Sequence, residues 1–146
     1  MPNLNLLPGL DSSASALQAE RIRLEVISQN IANANVTKTD EGTPYQRQVV
    51  RFETLLEEKL GSKHDGIPQM LKVAEVIGDG KPPKMLYLPD HPDADPETGL
   101  VAYPNVNIHQ EMADMIVATR SFEANLAVIK NARAMTLQTL SLGRHA

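Results

Sequence analysis

The chain has 146 residues, enough for one domain with extensions, and its formal charge of -4 with scattered Lys and Arg leaves no basic footprint for nucleic acid. Cysteine is absent, which excludes disulfide staples, thiolate zinc sites and a Cys nucleophile. With three Tyr, two Phe and no Trp, the core must be built from Leu, Ile, Val, Met and Ala, which favours helix-helix seams over a deep walled cleft.

The N-terminal stretch MPNLNLLPGLDSS lacks a basic n-region, a sustained apolar run and an Ala-x-Ala site, so no Sec signal peptide is expected there. No apolar run approaches the ~20 residues needed to span a bilayer. The expectation is a chain that is not membrane-spanning and either stays in the cytoplasm or is exported with its N-terminus in place. Most Pro and Gly fall between Gly42 and Pro104, which divides the chain into 1–36, 37–106 and 107–146.

In the first part, Asp11 or Ser12 is the expected N-cap of a helix running to about Ala34. Leu10, Leu17, Leu24 and Ile31 recur every seven residues and are joined by Ala14, Ile27 and Ala34, so one side carries an apolar stripe. Ile22 and Val26 point almost opposite, and a helix with two apolar sides needs partners on two sides. Its exit carries Asn30, Asn33 and Asn35. Asn competes for helical hydrogen bonds through its own side chain and tolerates a left-handed backbone, so a terminus at Asn35 is physically reasonable. The amides either hydrogen-bond neighbouring backbone or chains, or are simply solvated.

The middle part holds four expected strands, in YQRQVVRFETLL (45–56), QMLKVAEVIGD (69–79), PKMLYLP (83–89) and GLVAYP (99–104), forming a small β-rich insert with a mobile loop at 57–68. In the last part, Asn107 is the expected N-cap of a helix without Gly or Pro to Leu142, closed by Gly143. Met112, Met115, Thr119, Phe122, Leu126, Ile129, Arg133, Thr136 and Leu140 follow the alternating three- and four-residue steps of a heptad pattern. At 1.5 Å per residue this helix is roughly 54 Å long and the first roughly 36 Å, so neither buries its stripe unless they pack along each other or along other chains. The fold class is α+β, mainly α, with the two long helices as a coiled-coil-like pair around the insert.

Chemistry is sparse. DHPDADPETG (90–99) crowds Asp90, His91, Asp93, Asp95 and Glu97, but counting from Asp93 an EF-hand needs Gly and Glu where Thr98 and Pro104 stand. A weak hard-cation site and a proline-stiffened turn with solvated carboxylates remain as readings. His64, His91, His109 and His145 have no metal-ligand spacing, GDGKPP (78–83) is not a P-loop, and Met112, Met115 and Met135 at helical spacing read as packing. No catalytic, cofactor-binding or metal residue is assigned, and an enzyme lacks any acid-base or nucleophile constellation.

SQNIANANVTKTDEGTPYQRQ (28–48) resembles the N-terminal signature of the flagellar basal-body rod and hook proteins, and LPDHPDADPETGLVAYPNVN (88–107) with EMADMIVATRSFEANLAVIKNARAMTLQTLSLGR (111–144) resembles the proximal-rod members of that family. Val36 departs from the Ser or Thr common there, which bears on a polar contact at the helix exit. The resemblance implies a structural subunit of the bacterial flagellum, polymerising through its terminal helices into the torque-transmitting rod that crosses the periplasm. It implies copies of itself and other rod proteins as partners, and an unfolded chain made in the cytoplasm and passed through the flagellar type III export apparatus without cleavage. Leu4, Leu6 and Leu7 are then candidate export-signal residues. Leu17, Leu24, Ile27, Asn30, Ile31, Asn33, Asn35, Met112, Met115, Phe122, Leu126, Ile129 and Leu140 are candidate subunit-interface residues. Another rod or hook component would share the signature, and a cytoplasmic coiled-coil adaptor would use the same heptads but leave the Asn-rich motif unexplained.

Overall fold

The computed structural model describes residues 8–56 and 69–143; Leu4, Leu6, Leu7 and the loop at 57–68 lie outside the described residues. Two helices flank an insert of four short strands: α1 (Pro8–Ala32), β1 (Gln48–Leu56), β2 (Gln69–Gly78), β3 (Lys84–Tyr87), β4 (Leu100–Tyr103) and α2 (Ile108–Gly143). The mainly helical α+β architecture expected from the sequence is the one observed.

Asp11 and Ser12, the expected N-caps, lie inside α1 rather than at its start. The helix ends by tightening rather than by a left-handed residue. Ala34 N donates to Ile31 O (3.3 Å) and Val36 N to Asn33 O (3.1 Å), and among the described residues only glycines have positive φ. Asn33 closes the end with its side chain, Nδ2 donating to Gln29 O at 2.9 Å beside its own backbone N–H at 3.0 Å. The chain then returns, Tyr45 N donating to Val36 O (3.1 Å), and enters β1.

β1 and β2 pair antiparallel from Gln48↔Gly78 to Leu56↔Gln69, with a bulge between Arg51 and Phe52 that bends the ribbon. β3 and β4 form a second antiparallel pair, Lys84↔Tyr103 to Tyr87↔Leu100. Between them the acidic segment folds back on itself. Gly99 sits at φ 67°, a left-handed backbone that favours glycine, and a Cβ there would also push on the exposed Tyr87 ring, whose Cε2 lies at 2.8 Å.

Asn107 caps α2 as expected: its Oδ1 accepts from His109 N (3.1 Å) and its carbonyl from Glu111 N (2.9 Å). α1 packs on α2 along one side and on the β1–β2 hairpin along another, which answers the two-sided apolar pattern of α1. The core is small: Ala19, Val26, Ile27, Ala34, Val101, Val106 and Ala118 are buried among the described residues. Val26, expected to point away from the main stripe, is thus fully covered, while Leu17, Leu24 and Ile31 are half-buried and Ala14 is exposed. No helix among the described residues is long and apolar enough to cross a membrane.

Candidate functional site

Among the described residues the buried polar ones are Asn30 and Glu111, each 1 % exposed. They meet where the end of α1, the start of β1 and the first turn of α2 converge. Asn30 Nδ2 donates to Gln48 O (2.8 Å) and to Glu111 Oε2 (3.1 Å). Its Oδ1 accepts from Gln48 N (2.9 Å) and from Tyr45 Oη (2.9 Å). Both amide donors and both lone pairs are therefore used, and toward Gln48 the side-chain amide takes the place of a neighbouring strand's peptide. The other carboxylate oxygen of Glu111 is gripped by Arg47, Nε at 2.8 Å and Nη2 at 2.7 Å. Arg47 Nη1 reaches Asp79 Oδ2 (3.3 Å) where β2 ends, and Lys81 Nζ meets the same oxygen (3.3 Å). Asp79 N also donates to Arg47 O (2.8 Å), so the chain of contacts from Tyr45 to Lys81 ties both helices to the mouth of the hairpin.

The electrostatics follow from this packing. Burial pushes the Asp79 carboxyl up, but the hydrogen bonds and charges of Lys81 and Arg47 more than reverse that and leave it below the usual carboxylate range. Burial and the Glu111 charge both push the Tyr45 phenol up. For Arg47, burial lowers the guanidinium and the Glu111 and Asp79 carboxylates outweigh it, so the side chain stays charged. Two grooves border the node. One of about 600 Å³ is open between Thr39, Tyr45, Lys81 and Asn105, and one of about 210 Å³ lies between Arg23, Phe52 and Asp114. Neither gathers an unpaired nucleophile beside a base.

The expected interface residues separate into three groups. Asn30 and Ile27 are buried inside the chain, and Asn33 turns back to its own helix. Leu17, Leu24, Ile31, Met115, Phe122, Leu126 and Ile129 are half-buried along the two helices. Asn35, Met112 (51 % exposed) and Leu140 (64 %) face outward. Of the α2 heptad positions, Met115, Phe122, Leu126, Ile129 and Thr136 are half-buried while Met112, Thr119, Arg133 and Leu140 are exposed, and near the start Glu111 rather than Met112 and Ala118 rather than Thr119 take the inward places. Sequence reasoning missed Glu111, Arg47, Tyr45 and Asp79. The signal for Glu111 was an acidic residue one step before a heptad position, indistinguishable in the sequence from an ordinary first-turn carboxylate.

The acidic segment is a turn held by its own side chains and by Thr37 and Tyr103. Asp95 Oδ1 accepts from Glu97 N (3.1 Å), its Oδ2 from Thr98 Oγ1 (2.7 Å), and Asp93 Oδ2 from Thr37 Oγ1 (2.7 Å). The Thr98 hydroxyl and the Glu97 N–H hold the Asp95 carboxyl below its ordinary value. His91 Nδ1 accepts from Asp93 N (3.1 Å), and its ring lies edge-on to Tyr103. Among the described residues no three His, Asp or Glu gather in an arrangement that holds a metal ion.

Two family descriptions match the chain: "Flagella basal body rod protein" over residues 10–38 and "Flagellar basal body rod FlgEFG protein C-terminal" over residues 97–142. Among full-length relatives, the flagellar basal-body rod protein FlgC of Borreliella burgdorferi is 35% identical over 95% of this chain and 98% of its own length. The FlgC of Salmonella typhimurium is 37% identical over 95% of this chain and 98% of its own. That of Bacillus subtilis is 35% identical over 92% and 96%.

Proposed function

The chain belongs to the FlgC family of flagellar basal-body rod proteins, and from that premise we propose that it polymerises through its two terminal helices into the torque-transmitting proximal rod. It is a structural subunit of the flagellar basal body rather than an enzyme, and it assembles with other rod components. The observation that supports the helices as the polymerising surface is the apolar surface that α2 leaves uncovered on several sides. Met112, Ile116, Val128, Met135, Leu137 and Leu140 are each more than half exposed. Fully covering one such side chain is worth roughly 1.5–3 kcal/mol, which a neighbouring subunit supplies and a free chain does not.

In this reading the half-buried stripe residues Leu17, Leu24, Ile31, Met115, Phe122, Leu126 and Ile129 complete their burial against neighbours, together with the outward Asn35, Met112 and Leu140. A non-closing, head-to-tail contact of this kind yields an open helical stack. The rod crosses the periplasm, and the subunit reaches it unfolded through the flagellar type III export apparatus, with Leu4, Leu6 and Leu7 as the recognised segment. The test is complementation of a strain deleted for this gene. Met135→Glu with Leu137→Glu, which charge two different sides of α2, should abolish swimming while the chain is still exported, and full motility with both substitutions overturns the assignment of this surface.

A further inference from the structure

We propose that the Asn30–Glu111–Arg47 node is a register lock, fixing which heptad of α1 lies against which heptad of α2. The apolar seam alone specifies register weakly. Sliding α1 by one heptad replaces Leu17 by Leu24 and Leu24 by Ile31, residues of the same class and nearly the same volume. On α2 the partially covered line of Met115, Phe122 and Ile129 also repeats every seven residues. Such a pair has several near-equivalent alignments.

The polar node has one. A slip carries Asn30 away from Glu111, whose Oε2 it approaches at 3.1 Å, and from Gln48, whose peptide N–H and C=O it satisfies at 2.9 and 2.8 Å. Glu111, 1 % exposed, then retains Arg47 on one oxygen and loses its partner on the other. A buried carboxylate oxygen without a donor is penalised far more heavily than a Leu exchanged for an Ile, so the aligned state is selected by the cost of every other alignment. Because Arg47 also holds Asp79 at the mouth of the hairpin, the same contacts fix where the insert leaves the helix pair.

The chain has no cysteine of its own, which permits a direct test. Gln18→Cys and Ala113→Cys, both at exposed positions, carry spin labels for a distance measurement along the helix pair in the full-length protein. With the node intact, one narrow distance is expected. With Asn30→Leu and Glu111→Leu, which leave Arg47 paired to Asp79, a second population should appear, displaced along the axis by about 10 Å, the length of one heptad. A single unchanged distance in that variant, with helical circular dichroism like the parent's, overturns the proposal. Should the double variant lose its helical signal, Asn30→Ala, which keeps the Arg47–Glu111 pair, takes its place with the same two readings. The distance is read within one chain, so the result is independent of whether the helices polymerise as proposed.

Discussion

Asn30 and Asn33 are three residues apart and chemically identical, yet they do unlike work. Asn30 has all its hydrogen-bonding capacity used in a site that is 1 % exposed, whereas Asn33 makes one exposed bond to Gln29 O. Asn30→Ala should therefore lower stability by about 1–3 kcal/mol, since Gln48 and Tyr45 lose a partner in a partly dry site, and Asn33→Ala by less than about 0.5 kcal/mol. Paired urea titrations check this, and equal effects would show that the buried amide is not special. Tyr45 gives a pH-dependent counterpart. Its phenol is raised by burial and by the Glu111 charge, so its contribution to stability is present below the ordinary tyrosine range and is lost as pH climbs through the raised value. In Glu111→Gln the phenolate absorbance assigned to Tyr45, by difference from Tyr45→Phe, should appear at lower pH than in the parent.

At the level of elements, the periodicity of 3.6 and the turn chemistry made both helices and all four strands legible, because those signals are local. Asn107 as the N-cap of α2 is such a signal, and Asn107→Ala should cost about 1 kcal/mol in thermal or urea unfolding. Gly99→Ala should cost more than that cap, because the left-handed φ and the Tyr87 ring both oppose a Cβ. What could not be read was phase: whether Glu111 or Met112 turns inward depends on where α1 and the hairpin lie, and neither is encoded within the first turn of α2. Val26 illustrates the same limit. Its angle on α1 was evident, but the element that would cover it was not. The exit at the asparagines was open in the sequence for a related reason: Asn has two ways to end a helix, and here Asn33 ends it through its side chain.

For the molecule as a whole, stability should fall at acid pH through loss of the hairpin's tether. Asp79 has a folded value below the ordinary carboxylate range, so its contribution is present above that range and disappears as pH drops through the depressed value. Loss of protection of the β1–β2 amides in hydrogen exchange should accordingly begin beneath about pH 4, and Asp79→Asn should remove that acid dependence. One consequence of the node's layout concerns time rather than space. Asn30 and Glu111 are 81 positions apart, so any delivery of the chain N-terminus first, whether from a ribosome or through a narrow conduit, presents the asparagine long before its carboxylate partner. During that interval Asn30 can pair only with water or with Gln48 and Tyr45. The last quarter of the chain thus decides when the earlier three-quarters settle, and a subunit interrupted before residue 111 has no means of completing its own interior.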